Sequence, residues 1–140
     1  MEKEKLMLDL KSKLDGLAVV PFGAYQKLME FMEFKTFRKG DLIRSSGEKE
    51  QYSYYLFSGI LAFEKEGMLE RLFFEDQVAF DSHAYQSGFP SQYNLIALKD
   101  GLMSQLSHND ELKVLNKLPE FNRLSLALQQ KAKDTEDLWY

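Results

Sequence analysis

The stretch that decides the fold is Phe37-Arg38-Lys39-Gly40-Asp41-Leu42-Ile43, followed by Gly47-Glu48 and then Tyr55-Leu56-Phe57-Ser58-Gly59. Short runs rich in aromatic and β-branched residues are cut at regular intervals by glycine pairs, the composition of strands joined by tight turns. From Phe34 onward the pattern continues through Glu66-Gly67. It predicts strands near residues 35–38, 41–44, 52–57, 60–65, 69–75, 93–98 and 102–106, with an irregular segment from Asp76 to Ser91. Seven or eight short strands of this kind form a jelly roll or a small barrel.

The flanks read differently. Met7, Leu10, Leu14 and Leu17 alternate at spacings of three and four and share one helical face, with Gly16 near the end of that helix. Pro21 suits the first turn of a second helix, which places Tyr25, Leu28, Met29 and Met32 on a stripe best explained as core packing. Beyond the last strand, Ser107-His108-Asn109-Asp110 has the form of a capping box opening a helix through about Asn116. Pro119 then opens a final helix with Phe121, Leu124, Leu128 and, more weakly, Ala132, Thr135 and Leu138 on one narrow stripe, a seam suited to pairing with a second copy. The expected organisation is therefore 1–33 for the N-terminal helices, 34–106 for the roll and 107–140 for the C-terminal helices, together one structural domain.

Composition excludes several functions. A chain of 140 residues with 44% hydrophobic content is long enough to bury a core without staples. It has no cysteine, hence no disulfide framework, thiolate metal site or cysteine nucleophile, and a reducing, cytoplasmic setting is expected. The charged start Met1-Glu2-Lys3-Glu4-Lys5 is unlike a signal peptide, and no apolar run approaches a bilayer span, so no membrane partner is expected. With 18 basic and 22 acidic residues the net charge is −4, and no cluster of Lys or Arg offers the footprint for a phosphate backbone. No phosphate-cradling glycine loop and no nucleophile elbow occurs. A cupin-type metalloenzyme is a weak alternative, because the only histidines are His83 and His108, and Glu75, Asp76 and Asp81 carry no ligand spacing. Glu30 and Glu33 read as a solvated helix face. No catalytic residue, no metal and no enzyme activity are expected.

Helices, then a glycine-punctuated roll, then a cap and an amphipathic helix: in this order the chain resembles the sensor half of the CRP/FNR family of bacterial transcription regulators, over roughly Tyr25 to Leu128. Lys39-Gly40-Asp41 with Gly47-Glu48 is similar to the family's first turn, and Tyr54-Tyr55-Leu56 with Ser58-Gly59 to its central hairpin. Glu64 to Gly67, Phe80 and the Leu95 to Leu106 strand pair continue the match. The resemblance implies a mainly β fold with flanking helices, a double-stranded β-helix of cyclic nucleotide-binding-domain type, and a C-terminal dimer helix. It also implies a ligand cassette in which helix N-terminal amides and an arginine hold a cyclic phosphate while a glutamate accepts from the ribose hydroxyl.

In nucleotide-binding members the cassette reads approximately Phe-Gly-Glu and later Pro-Arg-Ser-Ala. The matching positions here are Phe80-Asp81-Ser82 and Pro90-Ser91-Gln92-Tyr93. Asp81 sets a carboxylate where phosphate would approach, and Ser91 removes the charge-assisted fork that offsets phosphate desolvation. Tyr93 replaces a small residue and either projects into the pocket or serves as a strand aromatic in the core. Arg44, Arg71, His83 and Lys99 are other cations of the region, but no spacing places them at the phosphate. The candidate ligand-binding residues are thus Phe80, Asp81, Ser82, His83, Ser91, Gln92 and Tyr93, with no cofactor expected and cyclic nucleotide disfavoured. The implied partners are a second copy of the chain through the C-terminal helix, a small-molecule effector, and DNA only through a domain outside this sequence, which stops within an apparently continuing helix. The alternative is a ligand-free dimerisation or interaction module.

Overall fold

Antiparallel pairing of two unusually long strands organises the molecule, as described by a computed structural model in which residues 3–127 and 130 are placed. The elements are α1 (Lys3–Leu14), α2 (Phe22–Leu28), β1 (Glu33–Phe37), β2 (Leu42–Arg44), β3 (Tyr52–Lys65), β4 (Met68–Phe73), β5 (Val78–Ala79), α3 (Ser82–Ser87), β6 (Asn94–Ser107) and α4 (His108–Lys117), then a 3-10 turn Pro119–Phe121. Internal contacts divide the chain into two units, 34–107 and the segments on either side of it.

In the first unit the sheet order is β1-β6-β3-β4, with β2 also on β6 and β5 also on β3. β3 and β6 pair from Tyr52↔Ser107 to Glu64↔Asn94. The expected breaks at Ser58-Gly59 and near residue 100 are absent: 52–57 and 60–65 are one strand, and so are 93–98 and 102–106. The reason lies in two glycines that are not turns. A Cβ on Gly59 would sit 2.8 Å from both Gly101 Cα and Phe37 Cζ, and one on Gly101 would collide with the Ser58 carbonyl oxygen. The strands cross so closely there that only glycine fits on either side. Gly59 has φ +91 and the register shifts on both sides of it, the signature of a bulge. Its effect is visible in the burial: Tyr54 and Leu56 are buried before it, Leu61 and Phe63 after it, so the inward positions change from even to odd.

At Glu66-Gly67 the sequence does mark a hairpin. Both residues have positive φ, 54 and 81, as a two-residue turn matched to strand twist requires, and Lys65 pairs with Met68. The core of the roll is Phe37, Tyr54, Leu56, Leu61, Phe63, Phe73, Ala79, Leu95, Ala97 and Met103. The span expected to be irregular, Asp76 to Ser91, contains β5 and α3. Asp76 turns the chain with φ 68 and accepts a 2.9 Å hydrogen bond from the Tyr55 hydroxyl. Burial and that bond raise the Tyr55 pKa well above its usual value.

In the other unit, Met7, Leu10 and Leu14 are buried on α1 as the periodicity predicts, but the helix ends at Leu14 and Leu17 is 40% exposed; Ala18 and Val20 are buried instead. α2 stops at Leu28, so Met29 and Met32 lie beyond it, and Tyr25 carries the packing, fully buried and edge-on to Phe121 at 5.2 Å. The Tyr25 hydroxyl has no hydrogen-bond partner among the described residues, and burial pushes its pKa up to about 12. α4 starts at His108 and ends at Lys117, and Pro119 opens the 3-10 turn that leads into helical residues 122–127, with Phe121 and Leu124 buried. The expected positions Leu128, Ala132, Thr135 and Leu138, and with them the dimer seam, lie outside the described residues. No described helix is long and apolar enough to cross a membrane.

Candidate functional site

The segment 80–93 is held by a buried charge network whose central residue is Arg44, the last residue of β2. Its side chain is 3% exposed and its ion-pair partner, the Glu50 carboxylate, is 1% exposed. Arg44 Nη1 donates to Glu50 Oε2; Nη2 donates to Ser91 Oγ at 2.9 Å and to the Tyr93 carbonyl at 3.2 Å. The guanidinium also lies 5.6 Å from the centre of the Phe63 ring, on which Tyr93 stacks at 5.2 Å and 16°. Of the two readings of Tyr93, the aromatic packed against the core describes its place, half-buried one residue before β6 begins.

Glu50 Oε2 also accepts the Asp81 backbone N–H at 2.8 Å. Asp81 in turn caps α3: its Oδ1 accepts from the Ala84 N–H at 3.1 Å and its Oδ2 from the Ser91 hydroxyl at 2.6 Å. Ser91 Oγ thereby donates once and accepts from both Arg44 and the Tyr93 N–H. Two backbone hydrogen bonds bind the loop after β2 to the same serine: Gly47 N–H to the Ser91 carbonyl at 2.8 Å and Ser91 N–H to the Glu48 carbonyl at 3.0 Å. One guanidinium thus faces two carboxylates, all nearly dry.

Burial is the main cause that raises the Glu50 carboxyl above its ordinary 4.5; Arg44 and the Asp81 amide pull the other way, and the Asp81 carboxylate adds to the rise. The upward direction follows from two carboxylates sharing one guanidinium and from Glu50 Oε1, sealed from solvent without a partner among the described residues.

Of the residues singled out from the sequence, Asp81 and Ser91 are brought into direct contact and buried. Tyr93 joins them through its main chain. Phe80 is half-buried against Tyr85 at 5.6 Å, Ser82 begins α3, His83 is exposed, and Gln92 is exposed and accepts from Lys65 Nζ at 3.0 Å. Glu50 was not singled out, and Arg44 was named only as one cation of the region. Among the described residues no three His, Asp or Glu side chains converge as metal ligands.

A β-roll of this topology is the fold of cyclic nucleotide-binding domains. The chain is similar to a cyclic nucleotide-binding domain from Methylobacillus flagellatus, at 11% identity and TM-score 0.79 over 95% of this chain and 79% of that one. It is similar also to the sensor domain of the transcriptional regulator DNR from Pseudomonas aeruginosa, at 17% identity and TM-score 0.68 over 94% and 91% of the two chains. A third likeness is the regulatory subunit of a cAMP-independent protein kinase A from Trypanosoma brucei, at 13% identity and TM-score 0.69, covering 99% of this chain and 50% of that one. No protein-family model and no curated protein matches the chain by sequence.

Proposed function

We propose that the chain is the effector-sensing domain of a CRP/FNR-type transcription regulator whose phosphate cassette no longer takes a cyclic nucleotide. The observation that carries this reading is the commitment of the cassette's own donors. The Asp81 amide, the Ser91 hydroxyl and the Arg44 guanidinium already serve two internal carboxylates, Glu50 and Asp81. A phosphate entering there would displace Glu50 and lie against Asp81, and the Arg44 guanidinium that would offset its desolvation is already held by Glu50 and Ser91. The residues do not fit a cyclic phosphate: the chain supplies its own anion. The domain is non-enzymatic and cytoplasmic, self-associates through its C-terminal residues, and acts on DNA through a separate domain. A ligand or partner shifts such a domain only by the difference in its affinity for two arrangements.

Calorimetric titration with cAMP and with cGMP tests the reading. The expected result is no heat of binding for either, and a gain of binding in Ser91→Arg combined with Ser82→Glu. Micromolar binding by the unaltered chain would overturn the proposal.

A further inference from the structure

Two stretches of the roll are fastened to each other by polar groups rather than by apolar packing. One is the loop 45–50 after β2; the other runs from Asp81 through α3 to Ser91. Residues 46–49 are exposed, and α3 buries only Ala84. The larger side chains of the second stretch give it no apolar anchor, since Tyr85 is 41% and Phe89 73% exposed. Among the described residues the buried polar side chains are Arg44, Glu50, Asp81, Ser91 and Ser104, and all but the last belong to this fastening. No core residue of the roll lies in either stretch.

The ties form one connected set. The main chain supplies two of them, Gly47 N–H to the Ser91 carbonyl and Ser91 N–H to the Glu48 carbonyl. Glu50 is the side chain by which the loop reaches the start of α3: its Oε2 accepts from Arg44 and from the Asp81 N–H, and Asp81 in turn caps the helix. A further bond of the loop, Ser46 N–H to Asn94 Oδ1 at 2.7 Å, is exposed, so water can replace it. Apolar docking loosens by degrees as contacts slip. Buried hydrogen bonds that share partners are kept or lost together, because each group that leaves strands another in a dry site.

We propose that the loop 45–50 and the segment 81–91 open and close as one local unit, latched by the Glu50 carboxylate, while β3 and β6 stay paired. Short elements with little apolar burial are where a fold opens at least cost. The unit is a conformational switch within the roll: whatever binds its open form more tightly than its closed form biases the domain through it. The inference rests on these bonds and stands whether or not the proposed function does.

Native-state hydrogen exchange of the unliganded, ¹⁵N-labelled chain in low urea tests it. The amides of Gly47, Asp81, Ala84, Tyr85, Gly88 and Ser91 are all hydrogen-bonded in the closed form. They should exchange through one common opening, less protected than the amides of β3 and β6. Glu50→Gln keeps an acceptor in place and removes its charge, and should speed all six by about tenfold and by the same factor. Leu61→Val thins the core, which stays packed when the unit opens; it should speed exchange in β3 and β6 by about fivefold and leave the six unchanged. Should either variant fail to fold, the urea dependence of the unaltered chain decides alone. The proposal is overturned if the loop and α3 amides open independently, if all six open only together with β3 and β6, or if Glu50→Gln leaves their rates unchanged. Micromolar binding of cAMP in the calorimeter would refute the proposed function and leave this inference standing.

Discussion

Replacing Glu50 by alanine removes the carboxylate and leaves Arg44 buried with its charge unpaired. The side chains are 3% and 1% exposed, so water cannot take over the lost bond to Nη1 without opening the loop between Gly47 and Gln51. Breaking one side of a buried pair costs about 3–5 kcal/mol. The Asp81 N–H loses its Glu50 acceptor in the same step, and that is part of the loss rather than an addition to it. Against a total stability of ~5–15 kcal/mol for an ordinary domain this is a large fraction. In urea, with a slope of ~2 kcal/mol/M, the midpoint should fall by ~2 M. Circular dichroism followed through the unfolding transition reads it directly. Arg44→Met combined with Glu50→Leu removes both charges and should cost less than Glu50→Ala alone, since a buried pair is only weakly better than apolar side chains of similar volume. A loss below ~1 kcal/mol for Glu50→Ala would refute the claim that Arg44 depends on this carboxylate.

The same pair sets a pH dependence. Because burial holds the Glu50 carboxyl above 4.5, the folded state binds the proton more tightly than the unfolded chain; this contribution is fully present below 4.5 and is lost as pH rises through the raised value. Glu50→Gln should flatten that part of the stability–pH profile, measured by urea titration at successive pH values. Tyr25 and Tyr54, both held at about 12 against an ordinary 10, should contribute a second loss as pH rises from 10 to 12, read as a falling melting temperature. Tyr25→Phe removes a buried hydroxyl that has no partner among the described residues and should leave stability unchanged or raise it by up to ~1 kcal/mol; a loss above that would reveal a bond to the hydroxyl. Gly101→Ala places a Cβ against the Ser58 carbonyl and 2.7 Å from both Gly59 Cα and Phe37 Cζ, and should destabilise by ~3 kcal/mol or prevent soluble expression, whereas Gly67→Asn at the open hairpin should cost little.

The roll was legible because its turn chemistry is local. Gly40 and Gly67 lie between alternating runs, and both have the positive φ that their turns need. Gly59 carries the same local signal, yet it marks a close crossing with Gly101, forty-two residues away. Nothing within a window of ten residues separates those two uses of glycine. α3 was hidden for a different reason: six residues, Ser82–Ser87, are too few for a hydrophobic period.

Within the site, Asp81 and Ser91 could be found because they stand at positions where the resembled family has other residues. Glu50 could not. It sits in Gly47-Glu48-Lys49-Glu50-Gln51, a polar loop in which a carboxylate is ordinarily solvated, and its burial depends on Arg44 folding back six residues along the chain. The usable signal was Arg44 itself: an arginine in the inward-facing place of a short strand demands an acid nearby.

The bulge at Gly59 divides β3 into two reading frames. A residue inserted or deleted between 57 and 60 would either abolish the bulge, and with it the close approach of Gly59 to Gly101, or carry Leu61 and Phe63 to the opposite face. Divergent relatives of this chain should therefore keep the spacing between Leu56 and Leu61 constant, whatever the domain senses.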